Sequence, residues 1–235
     1  MRFLDILYPS KCVFCGRVLR EEENGACRAC AIRLPYVTEP ACGHCGKPLE
    51  DEREERCPDC RRRLSPLDRN AALWVYRPQT KAAMMDFKYG GCTTDATYYA
   101  DELAARFHGR IREWNPDVLV PVPIHRRREW FRGYNQAALL ASALGERLRI
   151  PMREVLVRTR GTSPQKEMDP AERRNNLRQV VSVVPELMER DAHARVLLID
   201  DVYTTGATLD ACAQTLKDAG TERVYGLTLC IGSGC

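Results

Sequence analysis

Val196-Leu197-Leu198-Ile199-Asp200-Asp201-Val202-Tyr203-Thr204-Thr205-Gly206-Ala207-Thr208 is the stretch that decides the fold. Four apolar residues open it and read as a buried strand. Two adjacent carboxylates, Asp200 and Asp201, follow. A Thr/Gly loop then enters a helix at Thr208. Such a loop offers backbone N–H groups and three hydroxyls at a helix N-terminus, a place suited to a phosphate. Gly206 lets the backbone approach that anion closely. The two acids at the strand end can accept hydrogen bonds from vicinal sugar hydroxyls. Carboxylates and phosphate cradle together ask for a ribose 5-phosphate. An ordinary turn between strand and helix needs neither two acids nor three threonines.

The flanking sequence alternates strand and helix. Ala71 to Tyr76 reads as a strand, Thr80 to Lys88 as a helix ended by Gly90-Gly91, and Asp95 to Arg112 as a longer helix with Tyr99, Leu103 and Phe107 on its core face. Val118 to Val122 suits a buried parallel strand, and Tyr134 to Leu148 a helix with Leu139, Leu140 and Leu144 inward. Residues 158–168 read as a long loop, and Asp169-Pro170-Ala171-Glu172 as a capped helix start. Thr208 to Ala219 is a helix closed by Gly220, and Arg223 to Cys230 is the last strand. This order predicts an α/β domain with a mainly parallel sheet flanked by helices. Its ligand site belongs at the C-terminal ends of the strands.

Upstream, Val120-Pro121-Val122-Pro123 ends a predicted strand and runs into His125 and Arg126-Arg127-Arg128. Arginines here suit charge-assisted hydrogen bonds to phosphate. Residues 125–178 carry 13 Lys/Arg against 6 Asp/Glu, and residues 182–235 carry 4 against 8. A basic middle and an acidic end fit one site with an anion pocket and a carboxylate pair; solvated helix faces would produce the same imbalance. The net charge of +4 is too small to argue nucleic-acid binding by itself.

The N-terminal quarter is organised by cysteine. Cys12, Cys15, Cys27 and Cys30 recur thirty positions later as Cys42, Cys45, Cys57 and Cys60, an internal duplication of a Cys-x2-Cys-x11-Cys-x2-Cys unit. Each unit supplies four thiolates, the shell of one structural zinc, so about two zinc ions are expected. Whether the two units bind separately or interleave is open from spacing alone. An iron–sulfur cluster also takes four cysteines. Disulfides are disfavoured in a cytoplasmic chain, and a thioredoxin-like pair would not form a regular array. His44, between two ligands, reads as a surface histidine. The boundary falls near residue 66, giving a double zinc-ribbon module over 1–66 and a second domain over 67–235. The module has 12 Lys/Arg against 11 Asp/Glu, a balance that favours a protein contact over a phosphate-tracking groove.

No stretch reaches the roughly 18 apolar residues of a membrane span. The opening MRFLDILYPS, with Asp5 inside its short apolar run, reads as an amphipathic turn of helix rather than a signal peptide, so the expected compartment is the cytoplasm.

The thirteen residues quoted first resemble, at every position, the phosphoribosyl-pyrophosphate signature of type I phosphoribosyltransferases. Phe87-Lys88-Tyr89-Gly90, Phe131-Arg132-Gly133-Tyr134-Asn135-Gln136, Arg158-Thr159-Arg160 running to Pro164-Gln165, and Arg173-Arg174-Asn175-Asn176 resemble, in the same order, blocks of the ComF family. The double zinc ribbon in front matches that family too. The resemblance implies a type I phosphoribosyltransferase-like domain that binds 5-phosphoribosyl 1-pyrophosphate with magnesium. Asp200 and Asp201 would take the ribose hydroxyls, and Thr204, Thr205, Gly206, Ala207 and Thr208 the 5-phosphate. In that fold a loop at the place of His125 and the arginine run, led in by Pro121 to Pro123, holds the pyrophosphate through backbone N–H groups and basic residues, so Pro121, Val122, Pro123, Arg126, Arg132 and Lys88 would lie at the pyrophosphate. Tyr134, Asn135 and Gln136 would line an acceptor pocket or pack the helix start. It also implies a link to natural competence and DNA uptake. The activity is then a phosphoribosyl transfer to an unassigned acceptor; the alternative is a catalytically silent sensor that binds single-stranded DNA or partner proteins of the uptake machinery.

Overall fold

A computed structural model describes residues 9–158, 181–184 and 194–232. Two short helices, α1 (Arg28–Ala31) and α2 (Pro58–Arg62), each start just after the third cysteine of a unit, which is the N-cap residue. There follow β1 (Arg69–Val75), α3 (Pro78–Tyr89), α4 (Asp95–Trp114), β2 (Val118–Pro121), α5 (Arg126–Arg132) and α6 (Gln136–Leu148). The chain then gives β3 (Leu156–Arg158), β4 (Val181–Val183), β5 (Arg195–Tyr203), α7 (Ala207–Asp218) and β6 (Arg223–Ile231).

Four strands form one sheet in the order β1-β6-β5-β2, and every pairing in it is parallel. This is the mainly parallel, helix-flanked sheet expected from the sequence. The central strand β5 alternates its faces. Leu197 and Ile199 join the cluster built around Tyr99, Leu103 and Leu140, while Val196 and Leu198 join the cluster built around Leu209, Cys212 and Leu216. Both faces are thus covered by helices, which is why the strand reads as an uninterrupted apolar run.

The zinc-ribbon region packs on both faces. Cys12, Cys27 and Leu34 bury into the α4 side, where Phe14 meets Trp74 edge-on at 5.5 Å. Cys42, Cys45, Cys57 and Cys60 bury into the α7 side. The second unit is also stitched to the sheet edge: Asn70 donates its backbone N–H to the His44 carbonyl at 2.7 Å and its side-chain amide to the Cys45 carbonyl at 2.9 Å. His44 is accordingly half-buried rather than on the surface.

Two elements differ from the sequence reading. β5 runs on past Ile199 through Tyr203, because β6 continues beside it and pairs Asp200 with Thr228 and Val202 with Cys230. The arginine run expected as loop forms α5, capped by His125 Nδ1 accepting from the Arg127 N–H at 3.2 Å and closed by Gly133 at φ +82°. The N-terminal turn of helix, the long loop beyond Arg158 and the helix start at Asp169 lie outside the described residues. Among the described residues no helix is long and apolar enough to cross a membrane.

Candidate functional site: a carboxylate pair and a phosphate-type loop

The site lies at the C-terminal ends of the parallel strands. β5 carries Asp200 and Asp201, and the turn from Thr204 to Gly206 leads into α7. Thr204 and Thr205 are exposed, and Ala207 and Thr208 are half-buried. Gly206 is the N-cap residue at φ +77°, with no side-chain cap hydrogen bond. A Cβ added there would sit 2.2 Å from Tyr203 Oη, so only glycine fits both the dihedral and the space. The first turn of α7 is thus headed by backbone donors, of which the Ala207 N–H meets Thr205 Oγ1 at 3.4 Å, and a helix start of this kind suits an anion.

The two acids differ. Asp201 is buried and ion-pairs with Lys88 from α3. Its other oxygen accepts from Gln136 Nε2 at 3.4 Å, and Gln136 Oε1 in turn accepts from Arg132 Nη1 at 2.9 Å. Arg132 also donates to Tyr89 Oη at 2.8 Å and lies 4.5 Å over that ring. Three expected site residues, Lys88, Arg132 and Asp201, are therefore joined through Gln136 in one network. Burial would lower the Lys88 pKa, but the Asp201 carboxylate outweighs it and holds Lys88 above the ordinary lysine range. Asp200 accepts the Asp201 backbone N–H at 2.8 Å. Burial, with the Asp201 charge beside it, pushes the Asp200 carboxyl well above the usual carboxylate range.

The segment Pro121, Val122 and Pro123 closes the site beside β5, and all three residues are buried. Prolines have no N–H, and the Val122 N–H is committed to the Ile199 carbonyl at 2.9 Å. The segment therefore brings shape rather than backbone donors, which corrects the expectation of N–H groups here. Arg126 lies across a cavity of about 130 Å³ lined by Pro121, Pro123 and Arg158. Asn135 serves as a cap: its Oδ1 accepts from Ala137 N at 3.0 Å and its Nδ2 donates to the Val122 carbonyl at 3.2 Å. Tyr134 Oη donates to the Phe87 carbonyl at 2.7 Å, tying α3 to the start of α6.

The two cysteine sets are separate, not interleaved. Cys12, Cys15, Cys27 and Cys30 converge in one and Cys42, Cys45, Cys57 and Cys60 in the other, with all sulfurs of a set within 4.8 Å of one another. Cys15 and Cys27 sulfurs lie 3.8 Å apart, and Cys45 and Cys57 sulfurs 3.7 Å. Sulfurs placed tetrahedrally at about 2.3 Å from a zinc are about 3.8 Å apart. The Cys27 N–H donates to Cys12 Sγ at 3.3 Å, as donors around metal thiolates do. Both sites fit structural zinc.

Residues 3–69 match the double zinc ribbon domain family. Over 228 residues the chain is 30% identical to competence protein F of Haemophilus influenzae, covering 92% of this chain and 96% of that protein. The chain belongs to the ComF family. A second ComF relative, competence protein ComFC of Bacillus subtilis, is 28% identical over 207 residues, covering 86% of this chain and 82% of its own length. The DNA utilization protein YhgH of Escherichia coli K12 is 36% identical over 116 residues, about half of either chain (49% of each). Among solved structures, a purine phosphoribosyltransferase from Pyrococcus horikoshii superposes with a TM-score of 0.37 at 18% identity, over 57% of this chain and 73% of that one. The glutamine phosphoribosylpyrophosphate amidotransferase of Bacillus subtilis gives 0.39 at 19% identity, over 61% and 30%.

One residue in contact with the loop carries no signal in the sequence. Arg63, at the end of the second cysteine unit, reaches Thr205, Tyr203 and Asp210, more than 130 positions away. Trp130 and Phe131 of α5 are 85% and 79% exposed beside a concavity of about 420 Å³ that Tyr89, Arg127, Arg128 and Arg132 also line.

Proposed function

We propose that the chain binds 5-phosphoribosyl 1-pyrophosphate and uses it as the donor in a phosphoribosyl transfer that serves DNA uptake or utilisation. One observation carries this reading: a carboxylate pair at the end of a central parallel strand stands immediately before a glycine-headed helix start, with Lys88 and Arg132 converging on the same carboxylate network. Asp200 and Asp201 accept from the ribose hydroxyls. The backbone and hydroxyls of Thr204, Thr205, Gly206, Ala207 and Thr208 hold the 5-phosphate. Lys88, Arg126 and Arg132 neutralise the pyrophosphate, with Pro121, Val122 and Pro123 shaping the floor beneath it. Lys88 moves from Asp201 to the pyrophosphate as the sugar hydroxyls take up that carboxylate.

The transfer asks little covalent chemistry of the protein. Pyrophosphate leaves C1 of the ribose, and the positive charge that develops on the sugar needs positioning and counter-charge. Magnesium, when bound, neutralises the leaving pyrophosphate. Two carboxylates are too few for an all-protein magnesium site, so Asp200 and Asp201 would hold the ion only together with phosphate oxygens of the ligand.

Asp200 gives a direct test. Its raised pKa means that the folded protein holds the Asp200 proton more tightly than the unfolded chain does. That contribution is complete below the ordinary carboxylate range and is lost as pH rises through the raised value. Asp200→Asn is therefore expected to stabilise the protein at pH 7, by about 0.5–2 kcal/mol, the common size of a stabilising substitution. The gain shrinks toward zero below about pH 4. The same variant is expected to lose phosphoribosyl pyrophosphate binding. Thermal melts at both pH values and a titration check this; unchanged affinity would remove Asp200 from the sugar site.

The exposed patch on α5 favours a second reading, a contact with single-stranded DNA beside the donor site. Aromatic faces interleaved with arginines suit stacked bases and a phosphate backbone. Trp130→Ala with Phe131→Ala is expected to weaken oligonucleotide binding by about 1–3 kcal/mol for each stacked base lost. Equal affinity for both proteins across a salt series would contradict it.

A further inference from the structure

We propose that Arg63 is a positioning residue: a latch by which the second zinc ribbon holds the phosphate loop in its anion-binding shape. The inference rests on the phosphate-loop reading above for its ligand, but its geometry stands apart from it. Arg63 lies three residues beyond Cys60, the last sulfur of the second set. It is the residue after α2, where φ −135° and ψ +142° turn the chain from helix to extended. Its guanidinium then reaches three successive parts of the strand–loop–helix turn. Nη1 donates to the Thr205 carbonyl at 2.5 Å. Nη2 donates to Tyr203 Oη at 3.1 Å, at the end of β5, and pairs with Asp210 Oδ2 at 3.1 Å, in the first turn of α7. Ser65, two residues on, donates from Oγ to the other Asp210 oxygen at 2.5 Å. The contact is sheltered: the side chains of Arg63 and Asp210 are 17% and 11% exposed.

The position of the Thr205 carbonyl decides what the loop can bind. In a trans peptide the C=O and the following N–H point in opposite directions. With the Thr205 carbonyl held toward Arg63, the Gly206 N–H is aimed away from it. The same hydrogen bond takes up a carbonyl oxygen that would otherwise repel an anion. Gly206 is the residue that most needs such a restraint. Glycine at φ +77° gains nothing from its own side chain, and the guanidinium packs so close that a Cβ there would be 2.6 Å from Nη2. A lysine cannot replace this: one ammonium does not span a carbonyl, a phenol and a carboxylate as a planar five-donor fork does. Tyr203 and Leu209 share a buried cluster with all four cysteines of the second set, so the latch is mounted on the same packing that anchors the ribbon.

The latch predicts a local effect that a merely structural role does not. Hydrogen exchange of the full-length, zinc-loaded protein is followed for peptides covering 203–209, in wild type, Arg63→Ala and Arg63→Lys. Because Arg63→Ala leaves Asp210 without its guanidinium, Arg63→Gln combined with Asp210→Asn is measured beside it as a charge-neutral version. Faster exchange centred on 203–209 is expected in all three variants, least in Arg63→Lys, with zinc content near wild type in each and a melting temperature near wild type in the charge-neutral double variant. Phosphoribosyl pyrophosphate affinity is expected to fall about tenfold in Arg63→Ala. Exchange at 203–209 equal to wild type in both Arg63→Ala and the double variant overturns the latch, and so does acceleration spread evenly over the protein. Should the wild type bind no phosphoribosyl pyrophosphate, the ligand reading fails, and the exchange data still decide whether Arg63 holds the loop.

Discussion

Cys45→Ser is expected to release one of two zinc ions and to unfold most of the protein at 37 °C, not only its ribbon. The size follows from two quantities. Binding of structural zinc to four thiolates contributes about 10–16 kcal/mol at neutral pH. A domain's whole stability is about 5–15 kcal/mol. The reach follows from the packing: Cys42, Cys45, Cys57 and Cys60 are buried in one cluster with Ala72 of β1, Tyr203 of β5 and Leu209 of α7. A ribbon that lets go also withdraws the Cys45 carbonyl from Asn70 and the His44 carbonyl from the strand edge. Cys92→Ser, outside both sets, is the control and is expected to keep both ions and the wild-type melting temperature. Metal analysis with thermal melts checks both. A Cys45→Ser protein that loses its metal and melts as before would mean that the ribbon is an appendage.

Lys88→Met is expected to destabilise the fold by about 3–5 kcal/mol at pH 7, the usual consequence of leaving a buried charge without its partner. The side chains involved are 21% exposed for Lys88 and only 7% for Asp201, so solvent cannot replace the ammonium. The pH dependence has a definite sign. In the wild type, Lys88 titrates above the lysine range, so its stabilisation is complete at neutral pH and is lost only as alkaline pH rises through the raised value. Lys88→Met with Asp201→Asn is expected to recover most of the stability, because no unpaired charge then remains buried. Urea titrations of the two single variants and the double variant at pH 7 provide the cycle. Full additivity of the two single losses would mean that the pair is not coupled.

Local patterns were legible in the sequence and contacts across the chain were not. The run from Val196 to Thr208 declares itself because strand, acids, loop and helix start are consecutive. The cysteine units declare themselves because their ligands repeat at fixed spacing. The end of β5 is not legible in the sequence because an acid pair looks like a strand terminus, whereas β6 pairs past it to Tyr203. The α5 helix was hidden because its three leading arginines suggest a solvated loop, and its start depends on a histidine cap, which propensity does not announce. The N–H groups expected from Pro121 to Pro123 failed for a reason present in the residues themselves: two are prolines, and the third bonds to the neighbouring strand. Gln136 could be named as a candidate from its helix start, but only the structure shows it bridging Arg132 to Asp201. Arg63 could not be found at all. In the sequence it is the last of three arginines at a boundary, and its partners are 140, 142 and 147 positions away.

The most direct test of the central claim is a calorimetric titration of phosphoribosyl pyrophosphate, with magnesium, into the zinc-loaded wild-type protein. The account expects saturable binding with a micromolar dissociation constant and one site per chain, lost in Asp200→Ala combined with Asp201→Ala. No heat of binding at millimolar ligand, or equal binding by the double variant, would contradict the assignment of this site.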